Sequence, residues 1–178
     1  MNEVKNNSTQ FQIVNINPEP IGVFTLPKEK HLSYKKILWT IWNESPREMF
    51  QQYTANKEHL CSGSNLNLFK SFSQLNNLKS DISKFIIEYT NYIGSACEDV
   101  IINSAWLNNS KKGSTLDYHF HSNSFVSANY FINFTPGNHS QLTFQNDRVF
   151  SGKYPDYPTF VIPSKDTPTI YNAPSIGL

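Results

Sequence analysis

A chain of 178 residues is long enough to bury a substantial core and fits one domain. Aromatic residues make up 14% and charged residues only 16%, with Asn and Ser supplying much of the polarity, which excludes a disordered chain. Fifteen basic and 14 acidic residues leave a formal net charge of +1, and no Lys/Arg run offers a footprint for nucleic acid.

Taken in chain order, Gln10 to Ile16 alternates as a strand, Pro18 and Pro20 punctuate it, and Ile21 to Leu26 reads as a second strand. Ile37, Leu38, Ile41 and Trp42 share one helical face within 33–43, with Ser33 as the expected N-cap. Pro46 is placed to open a short helix from Arg47 to Tyr53. The polar stretch from Ala55 to Leu68 reads as a loop. The strongest helix follows, where Leu75, Leu78, Ile82, Phe85, Ile86, Tyr89 and Ile93 form a continuous apolar stripe that Gly94 terminates.

From Asp99 onward the texture changes. Val100 to Leu107, Ser124 to Phe134, Ser140 to Gln145 and Thr159 to Ile162 read as strands, separated by Gly113, Pro136-Gly137 and Gly152, and no helical period recurs after Gly94. Helices followed by strands predict a single α+β domain over 1–178. Its helical support spans about 27–95 and a β core, sandwich or barrel, spans about 99–178.

Cys61 and Cys97 lie far apart and outside metal-type spacing, so two buried free thiols are expected rather than a disulfide. Met1 to Gln10 is polar and lacks an apolar signal core, and no apolar run approaches the roughly 20 residues of a membrane helix. The expectation is a soluble cytoplasmic protein with no membrane partner and no specific nucleic-acid signal.

The most informative stretch is Leu116-Asp117-Tyr118-His119-Phe120-His121-Ser122-Asn123-Ser124. In an extended strand, residues i and i+2 project from one face about 6–7 Å apart. His119 and His121 so placed can converge on one cation, and imidazole suits iron, zinc and copper. A third ligand must come from elsewhere. His-x-His also occurs by coincidence, so its context decides.

That context is Ile102-Asn103-Ser104-Ala105-Trp106-Leu107-Asn108, then Gly113, the His pair with Ser124, Val126-Ser127-Ala128-Asn129-Tyr130-Phe131-Ile132, and Leu142-Thr143-Phe144-Gln145-Asn146-Asp147-Arg148. Upstream stand Asn65-Leu66-Asn67-Leu68-Phe69 and a Leu75-x-x-Leu78-Lys79-x-x-Ile82 helix. From Ile21 to Arg148 the chain resembles the 2-oxoglutarate/Fe(II)-dependent oxygenases common in marine phages and bacteria. Their pattern runs Ser-x-Trp-x-Asn, Gly, His-x-His-x-x-Ser, Ser-Gly-x-Tyr-Tyr and Leu-x-Phe-x-Asp-Pro-Arg.

The resemblance implies a double-stranded β-helix, or jelly roll, holding Fe(II) near its open mouth and taking 2-oxoglutarate as cosubstrate. It implies His119 and His121 as metal ligands, where the wider superfamily has His-x-Asp/Glu. It implies an oxidoreductase of the dioxygenase type, phage-like and thus in the host cytoplasm if phage-encoded. The family's distal His and 2-oxoglutarate-binding Arg lie near a Phe/Trp-Pro-Ser-x-x-x-His stretch, whereas this chain ends Pro174-Ser175-Ile176-Gly177-Leu178. The expectation is therefore a C-terminally truncated chain lacking its last strands, binding iron weakly and turning over poorly. Asp117 shares the parity of the His pair and is a candidate for orienting an imidazole. His139, in an evident turn, is a poor substitute ligand, and Arg148 matches the Asp-Pro-Arg position rather than the distal Arg.

Asn129 and Tyr130, on the strand after the His pair, are candidates to line the cosubstrate pocket. Parity favours Asn129 if the strand runs unbroken, and a bulge favours Tyr130, whose alternative is a core role. Asn108 is a candidate pocket donor or turn residue, and Trp106 is expected in the core. Two other readings stand beside the oxygenase. One is a non-catalytic β-sandwich binding or structural module that kept the fold. The other is a cupin-like zinc or iron protein drawing on His139 or Asp117. Nothing in Ala55 to Ser64 or Ser151 to Pro158 names a substrate.

Overall fold

The computed structural model describes residues 10–16, 19–46, 50–52, 59–62, 67–110, 121, 124–133, 143–144, 160–161 and 169–174. Strands β1 (Gln10–Ile16) and β2 (Glu19–Thr25) form an antiparallel hairpin with Gln10 opposite Thr25 and Ile16 opposite Glu19. Helix α1 (Lys28–Glu44) follows, then the short strands β3 (Phe50–Gln52) and β4 (His59–Ser62), helix α2 (Leu68–Ser71) and helix α3 (Asn76–Tyr92). Beyond them come β5 (Asn108–Ser110), β6 (Val126–Tyr130), β7 (Thr143–Phe144), β8 (Phe160–Val161) and β9 (Thr169–Pro174). Helix and strand are mixed along the chain.

The main sheet has the order β1-β2-β9-β6 with every pairing antiparallel, so the hairpin that precedes the helices joins strands that follow them. A second sheet orders β3-β4-β5, and β7 pairs with β8.

The core on one side of the main sheet is helical. The stripe read from the sequence is the buried face of α3, with Leu78, Ile82, Phe85, Ile86 and Tyr89 against Tyr34, Leu38, Ile41 and Trp42 of α1. Phe24 on β2 stacks on Phe85 with ring centroids 4.6 Å apart. Close approach of α3 to the sheet is possible because Gly22 has no side chain, as a Cβ there would lie 2.8 Å from Tyr89 Cδ2. Tyr89, fully buried, donates its hydroxyl to the Pro20 carbonyl at 2.9 Å.

Register separates the two faces. Phe24 and Tyr130 both pair with Ile170, while Val23 and Asn129 both pair with Tyr171. Residues directly opposite across a ladder share a face. Tyr130 therefore lies on the helix side with Phe24, and Asn129 on the other side with Val23. Ile21 and Val23 are buried, at 3% and 9% exposure, yet stand outside the helix-side cluster. The second face of the sheet is thus covered at Ile21 and Val23 of β2 and open at Asn129 of β6.

Several local expectations are corrected. Helix α1 starts at Lys28, with Pro27 rather than Ser33 at its N-cap, because proline fixes a φ compatible with helix entry. Within the expected Arg47 to Tyr53 helix, Phe50–Gln52 forms β3 instead, through pairing of Phe50 with Ser62, and the expected loop from Ala55 to Leu68 contains β4. No strand spans Val100 to Leu107; that stretch is irregular up to β5, with one isolated parallel bridge between Asn67 and Ala105. Strands β6, β7 and β8 fall within the three later runs that announced them. Strand β9 was not anticipated, since Pro168 and Pro174 bracket its run, yet it occupies a central position in the sheet. Cys97 is a free thiol as expected, but half-buried, with its Sγ 3.0 Å from the Asp99 carbonyl.

Gly94 ends α3 as the sequence indicates. Its φ of +84° is left-handed, and the amides of Gly94 and Ser95 close on the carbonyls of Asn91 and Thr90 at 3.1 and 2.9 Å, a Schellman arrangement. Among the described residues, no helix is long and apolar enough to cross a membrane.

Candidate metal-binding site

Of the two paired histidines, His121 lies among the described residues and is half-buried, its ring 5.4 Å from the Trp106 indole at a 51° tilt. His119 lies outside the described residues, as do Asp117, His139 and Arg148. Among the described residues, no group of three His, Cys, Asp or Glu is assembled to hold a cation. Imidazole is a nitrogen donor of the kind that iron, zinc and copper take, and His121 presents one in a partly desolvated setting.

Trp106 is placed by a device that replaces the missing strand ladder. Asn67, 8% exposed, donates both Nδ2 hydrogens, to the Ile102 carbonyl at 2.7 Å and the Asn103 carbonyl at 3.1 Å. Its Oδ1 accepts from the Phe69 amide at 3.1 Å, capping α2, and the Leu68 amide donates to the Ala105 carbonyl at 2.9 Å. Buried backbone groups need partners, and one side-chain amide supplies several here. The residue immediately after this clamp is Trp106.

Asn108 opens β5 opposite Cys61 and is exposed. Asn129 is exposed on the face away from the helices. Tyr130 points the other way, its hydroxyl 2.7 Å from His31 Nδ1 on α1 and the rings edge to face at 5.8 Å. Parity thus separates these two candidates onto opposite faces.

Sequence reasoning missed the polar junction beneath Tyr130. Asp81 on α3, 8% exposed, accepts from Tyr34 Oη at 2.7 Å and from Lys30 Nζ at 2.9 and 3.1 Å. Lys35 donates to Asn133 Oδ1 at 3.0 Å. Burial, with the Lys35 charge second, holds the His31 imidazole below its ordinary 6.5. Burial also raises the Tyr130 phenol well above its ordinary range, with Tyr34 contributing, and burial followed by Asp81 raises Tyr34. A signal for Asp81 was present in the sequence. It sits three residues after Leu78 and four before Phe85, inside an apolar stripe, where a carboxylate requires a partner.

Comparison with known proteins bears on the second half of the chain. Residues 104–178 match the family model described as "Putative 2OG-Fe(II) oxygenase". The match takes in Trp106, Asn108, both histidines, Asn129 and Tyr130. It also continues past Arg148, where the resemblance read from the sequence had stopped. No curated protein and no solved structure matches the chain.

Proposed function

We propose that the chain is a 2-oxoglutarate/Fe(II)-dependent oxygenase of the hydroxylase type, a reading supported by the match of residues 104–178 to the oxygenase family model. The observation that carries the reading is the family match itself, which spans the His-x-His pair whose second member lies half-buried against Trp106. In this reading His119 and His121 hold the metal. The fold is a double-stranded β-helix with the main sheet as one wall, a reading supported by the burial of Ile21 and Val23 on the face away from the helices. When bound, iron and 2-oxoglutarate supply the oxidation of a substrate C–H bond coupled to decarboxylation of the cosubstrate.

The chain's own residues divide by face. Asn129, away from the helices, is the β6 residue available to the cosubstrate, and Asn108 is a further polar donor at the start of β5. Tyr130, held by His31 on the helix side, supports the strand that carries Asn129. Any role of its phenol toward the cosubstrate requires that hydrogen bond to be exchanged.

One feature favours a non-catalytic binding module that kept the fold. The family's Phe/Trp-Pro-Ser-x-x-x-His stretch, which carries the distal histidine, does not occur within residues 1–178. Anaerobic titration of Fe(II) with 2-oxoglutarate separates the two. A visible charge-transfer band in the wild type that is lost in His119→Ala supports the oxygenase. A folded wild type without the band supports the binding module.

A further inference from the structure

We propose that Trp106 is a positioning residue for the His121 imidazole, and that Asn67 acts at one remove by fixing the backbone that carries Trp106. The inference rests on the oxygenase reading, in which His121 is a ligand. A metal-bound imidazole must be held in one ring orientation, and groups packed around a ligand commonly set that orientation and tune affinity. The Trp106 indole lies against the His121 ring at 5.4 Å. Trp106 belongs to an irregular stretch, which by itself would leave the ring loosely aimed. Asn67 removes that freedom. Its amide holds the Ile102 and Asn103 carbonyls, and the neighbouring Leu68 amide holds the Ala105 carbonyl, one residue before the indole.

The arrangement explains why a polar side chain is buried at position 67. A structural cap needs only the Oδ1 bond to the Phe69 amide, whereas both Nδ2 bonds reach across to the segment that ends at Trp106. Leucine at 67 would preserve the volume and lose both ties.

The test uses Co(II) with the 178-residue chain, reading binding by calorimetry and tryptophan emission in parallel, with far-ultraviolet circular dichroism to verify folding. The chain has three tryptophans, and Trp39 and Trp42 lie on α1. Metal-dependent quenching in the wild type is expected to come mainly from Trp106. It should be largely lost in Trp106→Phe, while binding stays within about threefold because an aromatic wall remains. Trp106→Ala and Asn67→Ala are each expected to weaken Co(II) binding by about 10- to 100-fold in folded protein. Wild-type affinity in folded Trp106→Ala, or unchanged quenching in Trp106→Phe, overturns the proposal while leaving the site reading intact. Equal binding by wild type and His121→Ala, or no binding by the wild type, overturns the site reading and this proposal with it. Should Asn67→Ala fail to fold, the two Trp106 variants decide alone.

Discussion

The phenol of Tyr130 and the imidazole of His31 share a 2.7 Å hydrogen bond that ties the last residue of β6 to the first turn of α1. Neutral imidazole can accept or donate at Nδ1, so the bond accommodates either tautomer. Protonated imidazole can only donate, and Lys35 stands nearby.

A pH dependence follows from the lowered His31 value. Above 6.5 the imidazole is neutral in folded and unfolded chains alike. As pH falls through 6.5 the unfolded chain takes up a proton that the folded chain resists. Stability therefore declines until pH passes the lower folded value, and there it levels. Urea midpoints measured at about pH 7.5 and about pH 5 should fall less in His31→Gln than in the wild type. An identical pH response in the two proteins would remove His31 from this account.

Asp81 should be the most sensitive polar position of the helical layer. Asp81→Ala strands the buried Tyr34 hydroxyl and should cost about 1–3 kcal/mol in chemical denaturation. Lys30→Ala should cost less than about 1 kcal/mol, because the ammonium is half exposed, at 50%. Comparable losses in both variants would contradict the ranking.

Gly22→Ala tests the close approach of α3. The added methyl would meet Tyr89 Cδ2 at 2.8 Å and Phe24 Cε2 at 3.0 Å, both on fully buried rings with little room to move. A loss of about 1–3 kcal/mol is expected, read as a lower denaturation midpoint at unchanged slope.

Gly94→Ala isolates a backbone effect. Nothing lies within 4 Å of a Cβ built there, so steric crowding is absent and the left-handed φ of +84° alone opposes the substitution. The expected cost is about 1–2 kcal/mol, by thermal or chemical unfolding. A neutral result would mean that the turn relaxes.

Legibility in the sequence followed the range of the forces involved. The α3 stripe and its Gly94 stop were readable because both are local, a period of apolar side chains and a residue tolerant of positive φ. The His-x-His pair and the order of motifs around it were enough to name the family that residues 104–178 match. What escaped depended on distant partners. Val100 to Leu107 has the composition of a strand but is held by Asn67, 35 residues from Ile102. Phe50 to Gln52 becomes a strand because β4 pairs with it, and β9 escaped because prolines at its borders masked a run that sits between β2 and β6. His31 could not be foreseen beside Tyr130, since 99 residues separate them. On β6 itself, alternation alone could not say which of Asn129 and Tyr130 faces the helices, and the shared register with β9 puts Tyr130 there.

The position of β9 has a consequence for how the molecule is made. Gly22 must find Asn172, and Ala128 must find the same residue from the other side, so the wall of the sheet is completed by a stretch made after both of its partners. Until then the hairpin and β6 each present a bare ladder, the kind of edge that recruits other chains. Assembly with such sequence-distant pairings is slow, because loop closure precedes its reward. Ribosome-bound chains stopped short of Thr169 should therefore be more prone to aggregate and more open to proteases than chains that have passed Pro174.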